Sequence, residues 1–460
     1  MANAACVQVV SFGCKVNQVE GENLASTLRG LGWADAPSED AADLVIVNTC
    51  TVTGEAARQS RQRVRRALRR GARVIVTGCA AHPAAEDAAL QNLAGLLLVE
   101  PDKDRVARFL EECGMRSAEC RVRKEAAGEA ETAPPPGCRL LPAAHGLSLA
   151  VHSSLRTPRS ALDRSRALLK IQDGCPASCA YCIVPKVRPM VRSAPPEAGL
   201  EQVANLVAAG FREIVLCGIH LGLYGADVEP PLSLADLLEQ MLEVPGLGRL
   251  RLSSIEPMEV SDRLLGLMAA EPERLCPHLH IPLQSGDDGV LARMGRPYSS
   301  VDFLAVVERI RRAVPQPAIT TDVLVGFPGE TEEAFAETLR VCREAAFSRL
   351  HVFPFSKRPG TRAAAMKPEV PKAVIQDRRR RAADLGESLA EAYRASMVGQ
   401  TAQVVIEKML PDGRAEGLSE RYVRVRLRGP LPAGAARRSI VPVRTSGIEG
   451  DALSGQVGPV

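Results

Sequence analysis

The chain has 460 residues, 46% of them hydrophobic and 24% charged, and 58 basic against 54 acidic residues give a formal net charge of +4. This composition is typical of a globular protein with about three domains, at roughly 150 residues per domain. Aromatic residues make up only 3% of the chain, so a recognition surface built on many stacked rings is not expected. The net charge is too small to indicate a polyanionic partner by itself, so the distribution of charge has to be examined.

The amino terminus and the hydropathy indicate a cytoplasmic protein. Residues 1–5 lack the basic segment and apolar run of a signal peptide. Apolar runs are shorter than the roughly 18 residues that a membrane span needs, so we expect no membrane contact. The thirteen cysteines are not expected to form disulfides in the cytoplasm, and metal or redox chemistry is the better use for some of them.

Residues 6–113 are predicted to form a parallel α/β domain. Strands are predicted at 7–10, 43–48 and 73–78, and helices at 18–31 and 54–70. A cysteine follows each strand: Cys14, Cys50 and Cys79. Because parallel strands place their carboxyl ends on one edge of a sheet, we expect these cysteines to converge.

Three further segments follow along the chain. Residues 114–166 are predicted to be a linker, and Cys113, Cys120 and Cys138 in or beside it are interpreted as free surface thiols. Residues 167–397 are predicted to form a partial (β/α)6 barrel and a following helix at 372–397, with the active site at the carboxyl ends of the barrel strands. Residues 398–460 alternate like short strands and predict a small antiparallel β-barrel.

The strongest local signal is the loop that follows the first barrel strand, with Cys175, Cys179 and Cys182 in C-x3-C-x2-C spacing. Three thiolates in one loop can hold three irons of a [4Fe–4S] cube and leave the fourth iron open for a ligand. A zinc site with a distant fourth ligand is the alternative reading.

Residues 175–182 resemble the cluster loop of the radical S-adenosylmethionine superfamily, and the rest of the chain is similar to its methylthiotransferases. The matching segments are 11–18, 47–53, 76–80, 213–218, 280–286 and 322–331, and the tail resembles the TRAM domain, an RNA-binding barrel. The resemblance implies two [4Fe–4S] clusters and S-adenosylmethionine as cofactors. One cluster would be held by Cys175, Cys179 and Cys182. The other would be held by the three cysteines of the amino-terminal domain.

The same resemblance suggests further site residues. Gly218, Ser254 and Gln284 are expected to contact S-adenosylmethionine. Segment 251–257, with Glu256 as the candidate discriminator, looks like the subgroup that acts on N6-threonylcarbamoyladenosine at position 37 of tRNA. A purely structural role for Glu256 at a strand end is the alternative. No catalytic acid or base is assigned, and none of the histidines is assigned as a metal ligand.

Two basic surfaces are candidates for contact with the tRNA anticodon loop. Arg58, Arg61 and Arg65 recur at helical spacing and would share one face of the helix at 54–70. Arg424 and Arg426 lie in the carboxy-terminal barrel, a fold that recurs as a binder of single strands. A solvated arginine face is the alternative for the helix.

The chain departs from the family at Pro189, where the family commonly has glycine, and this leaves the backbone contacts of that loop uncertain. The nearest enzyme alternatives act on isopentenyladenosine 37 of tRNA or on an aspartate of a ribosomal protein. A non-catalytic, metal-containing RNA-binding protein is the alternative from another class. We expect a monomer that receives electrons from a donor such as a flavodoxin or ferredoxin.

Overall fold

The contacts of the chain define two compact units in the computed structural model. The first contains the described residues up to Glu112, together with Cys182–Met190 and Arg358–Thr361. The second contains residues 164–181, Val191–Lys357 and 362–458. The structure describes residues 5–38, 41–51, 54–85, 87–91, 93–112, 164–411 and 414–458. The predicted linker up to residue 163 lies outside these ranges, with its three cysteines.

The first unit is built on a five-stranded parallel sheet in the order β2-β1-β3-β4-β5. Its strands are β1 (Cys6–Ser11), β2 (Ala34–Asp35), β3 (Leu44–Thr49), β4 (Arg73–Gly78) and β5 (Leu96–Val99). Its helices are α1 (Lys15–Gly30), α2 (Gly54–Arg69), α3 (Ala88–Gln91), α4 (Lys103–Glu112) and α5 (Val184–Val187). The predicted parallel α/β domain is confirmed.

Helices cover both faces of this sheet, which explains why residues 44–47 of its central strand are all apolar. Successive side chains of a strand point to opposite faces. Ile46 accordingly packs with Leu28 of α1 and Val106 of α4 on one face. Val47 packs with Val64 of α2 on the other face.

The second unit contains the six parallel strands of the predicted partial barrel. They form two sheets, β10-β9-β6 and β11-β12-β13, and isolated bridges from Leu250 to Leu275 and from Ser254 to His280 connect them. The strands, with a small antiparallel pair β7–β8, are β6 (Ala167–Lys170), β7 (Gln172–Asp173), β8 (Arg192–Ser193), β9 (Glu213–Cys217), β10 (Arg249–Leu252), β11 (His278–His280), β12 (Ala318–Val325) and β13 (Arg349–Pro354).

Helices connect these strands, and several begin at a capping side chain. Ser233, Ser261, Ser299 and Thr331 each accept a hydrogen bond from the backbone N–H three residues later, which satisfies a donor that the helix leaves free. The helices are α6 (Pro196–Ala208), α7 (Leu234–Leu242), α8 (Asp262–Ala270), α9 (Asp288–Met294), α10 (Ser300–Ala313), α11 (Glu332–Ala345) and α12 (Lys372–Met397). Among the helices of the described ranges, none is long and apolar enough to cross a bilayer.

The carboxy-terminal segment forms the predicted small barrel, closed in the order β14-β15-β16-β18-β17. Its strands are β14 (Thr401–Met409), β15 (Ala415–Ser419), β16 (Arg424–Arg428), β17 (Ile440–Glu449) and β18 (Ala452–Val457). Four of the five strand pairs are antiparallel, but β16 and β18 pair in parallel. The barrel is therefore not wholly antiparallel, because strand directions cannot alternate all the way around a closed ring of five strands.

A buried ionic cluster fastens this barrel to the amino-terminal ends of β9 and β10. Glu213 accepts hydrogen bonds from Arg249 and Arg251, at 2.7 Å each, and all three side chains are at most 1% exposed. The two guanidinium groups also donate to backbone carbonyls of the small barrel, at Gln403, Leu418, Ser419 and Glu420. The small barrel thus docks at the end of these strands opposite to their carboxyl ends.

Candidate functional site

The three amino-terminal cysteines lie at the carboxyl ends of neighbouring strands, and none of them is in a disulfide. Cys14 precedes the first residue of α1 in the loop after β1. Cys50 and Cys79 follow β3 and β4, whose last residues, Thr49 and Gly78, are paired in register. Since paired strands run about 4.8 Å apart, the chain places these last two cysteines side by side at the edge of the sheet.

The thiols of Cys14 and Cys50 are in contact. Their hydrogen bond lowers the pKa of Cys14 to about 6, against the opposing effect of burial, and the positive charge of Arg188 adds to the lowering. Gly13 makes the approach possible: its φ is +89°, and a Cβ there would lie 2.2 Å from the Cys50 sulfur. At neutral pH Cys14 is therefore largely a thiolate, the form that binds metal.

Side chains lock the loops that carry these cysteines. The Asn17 amide donates to the carbonyls of Phe12 at 2.8 Å and Thr49 at 2.9 Å. The Asn48 amide donates in return to the Asn17 carbonyl at 2.6 Å. Such reciprocal amide bonds fix the backbone on both sides of the cysteine edge. Both asparagines are buried, and the sequence analysis did not single them out.

The segment after the cluster loop packs onto the cysteine edge of the first unit. Ile183, at the start of this segment, lies in one apolar cluster with Cys79. Arg188, only 3% exposed, donates to both carboxylate oxygens of Glu20, at 2.7 and 2.8 Å. This ion pair holds the backbone that leads into Pro189, the position where the chain departs from the family.

In the cluster loop itself, the Cys175 sulfur contacts His220 Nδ1 at 3.2 Å. Glu259 forms an ion pair with Nε2 of the same ring. Burial opposes protonation of His220, but the contacts with Cys175 and Glu259 outweigh it and raise its pKa to about 10. The imidazole thus lies between the Cys175 sulfur and a carboxylate, where its Nδ1 is placed to donate to the sulfur.

Cys179 has a comparable partner. The Arg296 guanidinium donates to the Cys179 sulfur at 3.3 Å and to the Tyr298 hydroxyl at 2.9 Å, and it forms an ion pair with Glu256. Glu256, the predicted discriminator of the substrate, is thus bound to an arginine that touches a cysteine of the cluster loop. Cys182, the third cysteine of the loop, belongs to the first unit and is half-buried.

The donor set of the loop suits an iron–sulfur cluster. None of its three cysteines is in a disulfide, so all three sulfurs can bind iron and leave one iron of a cube open. The two sulfurs described above each have a side-chain nitrogen within 3.3 Å, and hydrogen bonds to the sulfurs are among the features that tune such clusters.

The residues predicted to contact S-adenosylmethionine lie around the strands of the partial barrel. Gly218 follows β9, and a Cβ there would lie 2.7 Å from the Gln172 side-chain oxygen, which accepts the His220 backbone N–H at 2.8 Å. Ser254 is exposed and bridges to β11. Gln284 has a positive φ of 67° and bridges to β12. Position 218 therefore needs a glycine for packing against Gln172, apart from its predicted contact with S-adenosylmethionine.

A histidine–aspartate–histidine group lies on β11, β12 and β13. The Asp322 carboxylate oxygen is 3.3 Å from His280 Nε2 and 3.3 Å from His351 Nδ1, and the two rings stack with centroids 5.3 Å apart. Thr320 Oγ1, 2.9 Å from His280 Nδ1, fixes that ring. From the sequence, neither histidine was assigned as a metal ligand, and their grouping was not predicted because it depends on the register of the strands.

The arginines of α2 line one open pocket: Arg58, Arg61, Arg65 and Arg69, with Gln62. Arg58 pairs with Glu55, and Arg61 pairs with Asp87. Within the described part of the chain, Arg65 and Arg69 form no ion pair, so their charges are available to an anion.

The predicted arginines of the small barrel are all paired. Arg424 contacts Asp451 at 3.3 Å. Arg426 contacts Glu416 at 3.4 Å and Glu449 at 3.6 Å. Exposed pairs of this kind contribute about 0–1 kcal/mol, so a polyanion can displace them at little cost.

Comparisons with known proteins agree with this arrangement. Residues 169–342 match the model of the Radical SAM superfamily, and residues 6–97 match Uncharacterized protein family UPF0004. Among solved structures, the radical S-adenosylmethionine methyltransferase TsrM from Kitasatospora setae matches with a TM-score of 0.52 and 14% identity, covering 79% of this chain and 77% of that chain. That likeness concerns the fold alone.

Full-length relatives are closer. The threonylcarbamoyladenosine tRNA methylthiotransferase of Bacillus subtilis is 34% identical, covering 92% of this chain and 91% of that protein. Its namesake from Thermotoga maritima is 36% identical, covering 91% and 90%. A tRNA-2-methylthio-N(6)-dimethylallyladenosine synthase of Streptomyces coelicolor is 34% identical, covering 90% and 78%. The chain therefore belongs to the radical S-adenosylmethionine methylthiotransferase family, in which a [4Fe–4S] cluster and S-adenosylmethionine are the cofactors of the superfamily domain.

Proposed function

We propose that the protein transfers a methylthio group to C2 of N6-threonylcarbamoyladenosine at position 37 of tRNA. The observation that carries this proposal is the presence of two sets of three cysteines, none in a disulfide, in a chain that aligns over nine-tenths of its length with relatives named for this reaction. Each set follows parallel strands at their carboxyl ends, where such folds place their active sites.

The chemistry of the target carbon requires both sets. C2 of adenine carries neither an acidic proton nor a leaving group, so a radical route is needed there. When bound, a [4Fe–4S] cluster and S-adenosylmethionine supply that radical chemistry. We assign the first of these groups to Cys175, Cys179 and Cys182, with the fourth iron left open for S-adenosylmethionine.

The amino-terminal cysteines would hold a second [4Fe–4S] cluster. Support comes from the thiolate character of Cys14, its contact with Cys50, and the position of Cys79 on the neighbouring strand. Three thiolates at one edge again leave one iron open, as a site that handles sulfur requires. The asparagine-locked loops would keep this edge rigid.

The pocket beside α2 is the better supported tRNA contact. Arg65 and Arg69 form no ion pair with any residue that the structure describes, and arginines without acidic partners can neutralise phosphates. Arg58, Arg61, Arg424 and Arg426 would exchange their acidic partners for phosphates. The target base has to leave the anticodon-loop stack, which costs least in a single-stranded loop.

The remaining assignments follow from this reaction. Gly218, Ser254 and Gln284 would line the S-adenosylmethionine site, and Glu256 would contribute to the choice of substrate. We propose the domain organisation as 1–113, 114–166, 167–397 and 398–460, with the last segment binding RNA. A flavodoxin or ferredoxin would supply electrons to the protein, acting as a monomer in the cytoplasm, where tRNA is modified.

Isopentenyladenosine 37 is the second candidate substrate. It is favoured by one observation: the dimethylallyladenosine synthase of Streptomyces coelicolor is as identical to this chain, at 34%, as the threonylcarbamoyladenosine enzyme of Bacillus subtilis. Overall identity therefore does not separate the two substrates.

Mass spectrometry of tRNA nucleosides from a deletion strain separates them. We expect the methylthio-threonylcarbamoyl nucleoside to disappear and its unmethylthiolated precursor to accumulate, with restoration by the wild-type chain but not by a Cys179→Ala variant. Loss of the methylthio-isopentenyl nucleoside instead would refute the substrate assignment. An unchanged nucleoside profile would refute the function.

Anaerobic reconstitution separates the enzyme from a non-catalytic RNA-binding protein. Two four-iron clusters correspond to about eight irons per chain. We expect this iron content and release of 5′-deoxyadenosine from S-adenosylmethionine under reducing conditions. One or two zinc ions and no cleavage would support the non-catalytic alternative.

A further inference from the structure

Arg296 joins a cysteine of the cluster loop to a carboxylate. Its guanidinium donates to the Cys179 sulfur at 3.3 Å and forms an ion pair with Glu256. The arginine side chain is only 4% exposed, and the carboxylate is 29% exposed. A planar guanidinium with several fixed donors can serve both partners at once, which a lysine ammonium does less well.

His220 repeats this arrangement at another cysteine. Its Nδ1 lies 3.2 Å from the Cys175 sulfur, and its Nε2 is paired with Glu259. The glutamate packs directly against Gly222, since a Cβ on that glycine would lie 1.9 Å from Glu259 Oε2. The chain therefore keeps a side-chain-free residue where this carboxylate has to pass.

The two carboxylates come from one short turn. Residues 256–259, here named the carboxylate turn, follow β10 and form a single turn of 3₁₀ helix over Pro257–Glu259. The Glu256 backbone N–H donates to Glu259 Oε2 at 3.4 Å, and Arg309 donates to the Val260 carbonyl at 2.9 Å. The turn thus holds its two carboxylates at a fixed spacing.

We propose that the carboxylate turn positions Arg296 and His220 on the sulfurs of Cys179 and Cys175, and so raises the reduction potential of the cluster bound there. This inference rests on the proposed [4Fe–4S] cluster of this loop. It makes Glu256 and Glu259 positioning residues that act through the two donors.

The direction of the effect follows from charge. Reduction adds one negative charge to the cluster, and N–H donors on its sulfurs stabilise that charge, most of all the guanidinium of Arg296, which is always charged. Holding an arginine side chain in one conformation costs side-chain entropy. The ion pair with a fixed carboxylate offsets this cost and keeps the guanidinium on the sulfur. Losing a donor therefore lowers the reduction potential. Losing a carboxylate weakens the effect of the donor that it holds.

Redox titration of the reconstituted holoenzyme tests the donor role. The readout is the electron paramagnetic resonance signal of the reduced cluster that changes when S-adenosylmethionine is added. In Arg296→Met we expect the ratio of reduced to oxidised cluster at a fixed potential to fall about tenfold, which corresponds to about 59 mV for one electron. Arg293→Met is the matched control, because this exposed arginine donates to the Gly329 carbonyl, and its potential should equal that of the wild type.

A double-mutant cycle tests the positioning role of the turn. In a Glu256→Gln background, the shift caused by Arg296→Met should shrink to less than half, because the unheld guanidinium no longer stays on the sulfur. Equal shifts in both backgrounds would overturn the positioning role. An unchanged potential in Arg296→Met would overturn the donor role.

Iron content and thermal unfolding of each variant identify effects on assembly. If Arg296→Met does not assemble the cluster, Arg296→Lys carries the test. It keeps the charge without the planar fork, so its potential should be lower than that of the wild type. A wild-type potential in Arg296→Lys would overturn the inference. If the wild-type chain itself lacks a cluster that responds to S-adenosylmethionine, the proposed function fails as well. A responsive cluster with unshifted variants refutes this inference alone.

Discussion

Replacing Glu213 by glutamine should loosen the attachment of the small carboxy-terminal barrel. The Glu213 carboxylate is fully buried and accepts hydrogen bonds from Arg249 and Arg251, at 2.7 Å each. These arginines donate in turn to backbone carbonyls of the small barrel. The substitution leaves two buried guanidinium groups without their counter-charge.

The pKa of Glu213 indicates the size of the effect. Burial disfavours the ionised form, but the charges of Arg249 and Arg251 outweigh burial and lower the pKa from 4.5 to about 2. This difference corresponds to about 3 kcal/mol of stabilisation of the carboxylate. Removing one partner of a buried ion pair typically costs about 3–5 kcal/mol. We therefore expect Glu213→Gln to lose about 3 kcal/mol of local stability.

Hydrogen–deuterium exchange measures this loss, because it reports the opening of β14 and β15 without assuming that the whole chain unfolds in one step. About 3 kcal/mol corresponds to a roughly 100-fold loss of protection. Glu239→Gln is the matched control, since its ion pair with Arg263 is about half exposed and should cost less than about 1 kcal/mol. Equal protection in the two variants would refute the reasoning.

The same ion pairs predict a pH dependence. Because the pKa of Glu213 is lower in the folded protein, its contribution is fully present above pH 4.5 and is lost as the pH falls toward about 2. The wild-type small barrel should loosen over that interval. Glu213→Gln should lack this component of the acid sensitivity.

Three further predictions concern the proposed sites. Arg65→Ala combined with Arg69→Ala should weaken tRNA binding and reduce the slope of log K against log salt by about 1–2, as filter binding at several salt concentrations would show; an unchanged slope would exclude the pocket. Gly13→Ala should lower the iron content from about eight to about four per chain, because the new Cβ strikes a cysteine sulfur, and retention of all the iron would contradict this. In cluster-free protein, alkylation of Cys14 should rise with pH through about 6, whereas Cys276, whose buried thiol has a pKa of about 11, should stay unmodified at neutral pH; equal rates by mass spectrometry would contradict the assignment.

The main strands and helices could be predicted from the sequence because local patterns of residues determine them. The helix at Lys372–Met397 has both of its predicted ends. The cysteine edge was also predictable, because parallel strands end on the same side of a sheet. The parallel pair in the small barrel was not, because it depends on how the last strand closes the barrel.

The partners of the cluster loop could not be read from the sequence. Arg296 is 117 residues from Cys179, and Arg188 is 168 residues from Glu20. Ion pairs between residues so far apart in the sequence produce no periodic pattern. One arginine among many cannot be identified from the sequence as the partner of a particular residue. Glu256 was singled out for its motif, yet its contact with an arginine only appears once the strands are assembled.

An anaerobic assay of the reconstituted chain with tRNA that carries threonylcarbamoyladenosine at position 37 tests directly whether methylthiolation needs both cysteine sets. We expect 5′-deoxyadenosine and the C2-methylthiolated nucleoside to form together. Loss of either cysteine set should abolish formation of the nucleoside. Methylthiolated nucleoside that persists without Cys14, Cys50 and Cys79 would contradict the requirement for two sites.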